Sequence, residues 1–198
     1  IDAVQALGKL PMLYPADYVA VSAHKIGGPQ GVGALYVSPE APFTSFLQGG
    51  GQERRRRAGT LNVPGIAGFG AAAKRTGRFD KVSALRDALE ARLVGIDPAT
   101  VVFGADAPRL PNTLFFSAPG LRAMTAMMAF DLAGLSVSTG TACSSGKVGE
   151  SRALRAMGRI QDAPDGAIRV SFGPGNTMTD VDKFADAYAK LRGQRKAA

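Results

Sequence analysis

Three observations predict an α/β fold for this chain. Two strand-like runs, Tyr18–Ser22 and residues 31–37, flank a Gly/Pro-rich turn. Residues 80–96 carry Val82, Leu85, Leu89, Leu93 and Ile96 at three- and four-residue spacing, which lines one face of a helix. From there onward short strand-like and helix-like segments alternate, the pattern of helices laid on one face of a sheet.

Taken in order, a helix is predicted at residues 63–74, where Gly and Ala permit close packing. The 80–96 helix reads as a link into a second, smaller domain, so a boundary is expected near Phe79, dividing the chain into 1–78 and 79–198. Strands follow at 101–104 and Thr113–Ser117, a helix at about 121–133, a strand leading into Ser138, a short helix at 152–157 and a strand at 167–172. Thr179 is placed as the cap of a last helix displaying Val181, Phe184, Tyr188 and Leu191, and residues 192–196 as a frayed basic end. Met124, Met127 and Met128 are read as core filler.

Composition narrows the function classes. The 198 residues are 45% hydrophobic, enough for a packed core. No apolar run reaches about 18 residues, and the N-terminus lacks the order of a secretory signal, so a cytoplasmic protein without membrane contact is expected. One cysteine cannot form an intramolecular disulfide, and with one histidine it cannot build a zinc site, so no metal is expected. The net charge of +8 is densest at Arg54 to Arg57. Without an aromatic-rich RNA-binding motif that cluster reads as a solvated or anion-binding loop, and no nucleic acid is expected.

Four ordered motifs carry chemistry. The first is Asp2-x-x-Gln5. The second, Ser22-Ala-His-Lys-Ile-Gly-Gly-Pro-Gln-Gly31, sets Lys25 after the only histidine, between a strand and a turn. An amine at a strand end beside a cavity can be desolvated and made nucleophilic toward an aldehyde. The third, Gly49-Gly-Gly-Gln-Glu-Arg-Arg-Arg-Arg-Ala-Gly-Thr60, is an arginine-rich glycine loop. The fourth, Ser138-Thr-Gly-Thr-Ala-Cys-Ser-Ser-Gly146, surrounds Cys143 with residues too small and polar for a core, the setting of an exposed nucleophilic thiol.

Together these motifs resemble the class V aminotransferase type of PLP-dependent transferase fold, and within it the cysteine desulfurases similar to NifS and IscS proteins. The resemblance implies pyridoxal 5′-phosphate (PLP) as cofactor, held covalently by Lys25. Asp2 would face the pyridine nitrogen, whose protonation makes PLP an electron sink. Gln5 would donate to the phenolic oxygen, and Ser22 and His24 would bind the phosphate. Thr60 would reach the phosphate held by another subunit, which implies a homodimer. Cys143 would attack the substrate sulfur, and Arg169, within Ala167-Ile-Arg-Val-Ser-Phe-Gly173, would clamp the substrate α-carboxylate. In this scheme 1–78 is the C-terminal part of the PLP-binding large domain, and 79–198 is the small C-terminal domain carrying the cysteine loop.

The match runs over essentially the whole sequence but only the later half of a family member, in keeping with a start at Ile1 that reads as a strand end. Two departures stand out: threonine at two small-residue positions beside Cys143, and Pro174-Gly175-Asn176 after the arginine strand. The implied reaction takes L-cysteine to L-alanine and an enzyme persulfide, passed to an iron–sulfur scaffold or another sulfur acceptor. Rival readings are another class V PLP enzyme, such as a selenocysteine lyase or aminotransferase, and a truncated, non-catalytic fragment. Cys143 argues against the former. The latter follows from the upstream half, which in the family supplies the group stacked on the PLP ring.

Overall fold

The structure, a computed structural model, describes residues 1–11, 15–77, 79, 81–140 and 151–196. The chain divides into two compact units, 1–78 and 79–198.

In the first unit, β1 (Tyr18–Ser22) and β2 (Gly33–Val37) pair antiparallel from Tyr18↔Val37 to Ser22↔Gly33. A glycine opens β2 because a Cβ at Gly33 would lie 2.7 Å from the Val21 carbonyl oxygen. On the far side of β1, Asp2 forms a parallel bridge with Ala20: Ala3 N donates to Ala20 O at 2.9 Å and Ala20 N to Ile1 O at 3.0 Å. Between the strands lies a 3-10 turn, Ala23–Ile26, ended by Gly27 at φ 83°, a left-handed conformation that glycine adopts without strain. Helix α1 (Val63–Ala73) starts where the Asn62 side chain accepts from Gly65 N at 3.1 Å, with Pro64 in the first turn. It packs on the 3-10 turn. A Cβ at Gly68 would lie 2.6 Å from Pro29 Cγ, so only glycine permits this approach.

The second unit runs α2 (Val82–Ile96), β3 (Val101–Val102), β4 (Thr113–Ser117), α3 (Ala123–Leu132), β5 (Ser138–Thr139), α4 (Arg152–Ala156), β6 (Ile168–Ser171) and α5 (Met178–Lys196). Its four strands form an antiparallel sheet in the order β3-β4-β6-β5. Strand alternation sends Leu114, Phe116, Ile168 and Val170 to one face, where they pack against Leu89 and Leu93 of α2, Phe130 of α3, and Val181 and Tyr188 of α5. Phe130 stacks on Phe184 at 4.4 Å between ring centroids, and the Tyr188 hydroxyl bonds Thr100 Oγ1 at 2.8 Å. The opposite face carries a smaller cluster of Phe103, Leu154 and Ala167.

Three expectations are corrected here. Met124 and Met128 are exposed, because α3 turns Ala123, Ala126 and Phe130 inward and leaves the methionines, with Leu132, on the outer side. Thr179 lies inside α5 rather than capping it. Asp180 Oδ2 instead accepts from Thr177 N at 2.8 Å, a carboxylate reaching back to the start of the helix, while Asp182, three residues after Thr179, is drawn to Arg92 of α2. The stretch 192–196 is helical rather than frayed, anchored by Arg192, which pairs with Asp97 and donates to Pro119 O at 3.1 Å. Among the described residues no helix is long and apolar enough to cross a membrane.

Candidate cofactor site

The C-terminal end of β1 gathers the residues of the first two motifs. Because Asp2 is bridged to Ala20, its carboxylate starts two positions from Ser22 along the ladder, although twenty residues separate them in the chain. Asp2 Oδ1 accepts from Val4 N at 3.0 Å, an Asx turn that fixes the carboxylate. Ser22 closes the strand, and its hydroxyl lies 2.9 Å from His24 Nδ1, so hydroxyl and imidazole form one hydrogen-bonded pair. One residue further, Lys25 is half-buried in the 3-10 turn, backed by α1.

Gln5 and Lys9 complete this neighbourhood. Lys9 Nζ donates to Gln5 Oε1 at 2.8 Å. Burial, and secondarily the charge of Lys25, hold the Lys9 ammonium below its ordinary pKa, so the two amines share one electrostatic environment. The sequence reading missed Lys9. The signal available was Gln5-x-x-x-Lys9, a spacing that places two side chains on one side of a helical turn.

Thr60 lies on an exposed loop two residues before the Asn62 cap. In the arginine loop Glu53, Arg54 and Arg55 adopt φ of 49°, 56° and 64°, a left-handed run that costs roughly 1–2 kcal/mol per non-glycine residue. Arg56 stands over the Phe43 ring at 5.9 Å and Arg57 donates to Gly59 O at 3.2 Å, so two of the four cations have partners in their own unit.

In the second unit, Arg169 is exposed at the centre of the sheet, cross-strand from Phe115 on one side and Ser138 on the other. Gly140 N donates to Ala167 O at 2.8 Å, fixing the chain beside β6 just before residue 141. Buried Ser151, whose hydroxyl accepts from Leu154 N at 3.4 Å, caps α4 just after residue 150. Cys143 lies outside the described residues. Among the described residues no group of three or more His, Cys, Asp or Glu side chains is placed to hold a metal ion.

The family profile for aminotransferase class-V matches residues 1–184. This chain belongs to the class V aminotransferase family. Among curated relatives, a cysteine desulfurase of Cereibacter sphaeroides is 39% identical over 201 residues, covering 99% of this chain and 52% of that protein. A cysteine desulfurase of Gluconacetobacter diazotrophicus is 41% identical over 203 residues, covering 96% of this chain and 51% of that protein. The solved structure of a NifS-like protein from Rickettsia africae superposes with a TM-score of 0.82 at 34% identity, over 97% of this chain and 52% of that one. The chain thus spans about half the length of the relatives it matches.

Members of the class V family depend on PLP. The donor set at the end of β1 fits that cofactor. A dianionic phosphate calls for hydroxyl and imidazole donors, which Ser22 and His24 offer, a carbonyl carbon calls for an amine, which Lys25 offers, and a protonated ring nitrogen calls for one carboxylate, which Asp2 offers.

Proposed function

We propose that the intact protein is a PLP-dependent cysteine desulfurase that converts L-cysteine to L-alanine while leaving a persulfide on Cys143. The observation that carries this reading is the bridge of Asp2 to Ala20, which brings a carboxylate to the strand that ends in Ser22 and leads into the turn bearing His24 and Lys25. Likeness to cysteine desulfurases over almost the whole chain supports the choice of reaction within the family.

PLP, when bound, supplies the electron sink that labilises bonds at the substrate α-carbon. Lys25 would hold the cofactor and, with its amine free, would carry the substrate α-proton as general base and acid. Asp2 would keep the ring nitrogen protonated, Gln5 would donate to the ring oxygen, and Ser22 and His24 would hold the phosphate. Arg169 pairs its guanidinium with the substrate carboxylate. The Cys143 thiolate attacks the substrate sulfur: the S–S bond forms, the C–S bond breaks, its electron pair stays on carbon, and protonation there gives alanine. The cysteine sulfur becomes the persulfide without any external oxidant.

Residues 1–78 then belong to the cofactor domain and 79–198 form the small domain that carries Cys143. Exposed Thr60 suits a residue that completes the site of a second subunit, hence a homodimer. The persulfide passes to a sulfur acceptor or iron–sulfur scaffold in the cytoplasm, where reducing conditions keep a thiol nucleophile available.

The test is alanine production from L-cysteine by the PLP-loaded intact protein. Lys25→Ala should lose the visible absorption of the lysine-held cofactor; a borohydride-trapped lysine adduct persisting in that variant would move the link elsewhere. Cys143→Ser should still bind PLP and L-cysteine but form neither alanine nor persulfide, because a hydroxyl is a far weaker nucleophile toward sulfur. Wild-type turnover by this variant would overturn the assignment.

A further inference from the structure

The helical turn after Asp2 is built more tightly than a surface turn requires. Leu7 N donates to Ala3 O at 3.0 Å and Leu10 N to Ala6 O at 2.9 Å, so Gln5 and Lys9 stand one turn apart. Between them in sequence, Gly8 at φ 75° has no room for a side chain: a Cβ there would meet Thr76 Cγ2 at 2.9 Å and Ile26 Cγ2 at 3.1 Å. Ile26 directly follows Lys25, so the turn bearing Gln5 and Lys9 is clamped against the turn bearing the cofactor lysine.

An ammonium has three donors and no acceptor. The end of the Gln5 carboxamide facing Lys9 at 2.8 Å is therefore its oxygen, which leaves the nitrogen at the other corner.

We propose that Lys9 is a positioning residue for the cofactor: it holds the Gln5 carboxamide in the one orientation that offers Nε2 as a donor to the ring oxygen of PLP. The inference rests on the role given to Gln5 above. Its second support is the packing of Gly8 against Ile26, the residue after Lys25, with the charge of Lys25 helping to hold the half-buried Lys9 ammonium below its ordinary pKa. Without Lys9 the carboxamide is free to turn its oxygen toward the ring oxygen, where two acceptors repel.

The experiment uses the intact protein and reads two quantities, PLP affinity of the apo form and the wavelength of the visible band of the loaded form, which reports hydrogen bonding to the ring oxygen. Lys9→Met should weaken PLP binding about three- to tenfold, the order expected for one modest hydrogen bond. It should also shift the band in the same direction as Gln5→Ala. In the Gln5→Ala background the Lys9→Met effect should vanish, and Lys9→Arg, which keeps a cationic donor, should restore most of the wild-type signal. If Lys9→Met does not fold, Lys9→Gln takes its place, since a neutral amide imposes no orientation on its partner.

A band shifted by Gln5→Ala but unmoved by the Lys9 variants would overturn the inference while leaving the site intact. An undiminished Lys9 effect without Gln5 would also overturn it, because Lys9 would then act by another route. A band unmoved by Gln5→Ala would remove the role of Gln5, and this inference with it.

Discussion

Two glycines of α1 should respond in opposite ways to the same substitution. At Gly68 a new Cβ would lie 2.6 Å from Pro29 Cγ and 3.0 Å from Pro29 Cδ. Carbon atoms in contact sit 3.5–4.0 Å apart, so Gly68→Ala demands a shift of about 1 Å between the helix and a rigid proline ring. Overpacking of this kind costs about 1–3 kcal/mol, against a gain of about 1 kcal/mol from replacing glycine by alanine in a helix. The net expectation is about 0–2 kcal/mol of destabilisation. At Gly70 nothing lies within 4 Å of the added methyl, so the helix gain stands alone and Gly70→Ala should stabilise by about 0.5–1 kcal/mol. Thermal unfolding of the apo protein, compared between the two variants, measures the difference. PLP titration adds a functional reading: Gly68→Ala displaces the turn that follows Lys25 and should weaken PLP binding, whereas Gly70→Ala should leave it unchanged. Equal stabilisation by both variants would refute the close packing of α1 on the lysine turn.

Arg169→Ala should lower kcat/KM for L-cysteine about 10- to 100-fold, mainly through KM, with partial recovery in Arg169→Lys; steady-state kinetics of alanine release measures this. Burial raises the pKa of Tyr188, a shift partly offset by its hydrogen bond to Thr100. Above about pH 10 the unfolded chain loses this proton before the folded one does, so stability falls as pH rises toward the folded pKa. Tyr188→Phe should flatten that alkaline slope in unfolding curves while costing about 1 kcal/mol at neutral pH. Expressed alone, the 198-residue chain leaves Leu35, Tyr36 and Phe46 at 53%, 56% and 94% exposure around a two-stranded sheet. Dye binding and light scattering should report exposed apolar surface and association, and PLP binding should be weak; stoichiometric PLP with steady alanine production would contradict this.

The parts of the fold legible in the sequence are those with a long periodic signal. Val82, Leu85, Leu89 and Leu93 mark the buried face of α2 because fifteen residues of helix repeat the pattern four times over. Short elements give no such signal: the Asp2–Ala20 bridge is one residue long, and the 3-10 turn at Ala23–Ile26 is four. The strand order β3-β4-β6-β5 is set by packing between distant segments, which local pattern does not encode. Met124 and Met128 were misread because apolar identity was taken for burial, when position on the helix decides it. At the candidate site, Lys25, His24 and Cys143 stood out by residue type and setting, whereas Asp2, Gln5, Thr60 and Arg169 drew their roles from resemblance. Lys9 was invisible because an amine four residues from a glutamine is common on surfaces, and its bearing on the site comes only from its bond to Gln5 and the packing of the adjacent Gly8 against Ile26.

The second unit distributes precision in a way that suits the proposed chemistry. Arg169 sits in a central strand, hydrogen-bonded on both sides, where a carboxylate clamp gains rigid aim. The adjacent strand β5 leads directly into the segment with Cys143, and both ends of that segment are tied down, at Gly140 by the Ala167 carbonyl and at Ser151 by its cap on α4. Gly140 is itself confined, since a Cβ there would lie 3.1 Å from Phe115 Cζ, and Phe115 is the cross-strand neighbour of Arg169. Arg169, the proposed substrate clamp, and Gly140, the last described residue before the segment with Cys143, therefore share one aromatic side chain as a spacer. A substitution such as Phe115→Leu would loosen both together, so substrate affinity and sulfur transfer should decline in step rather than independently.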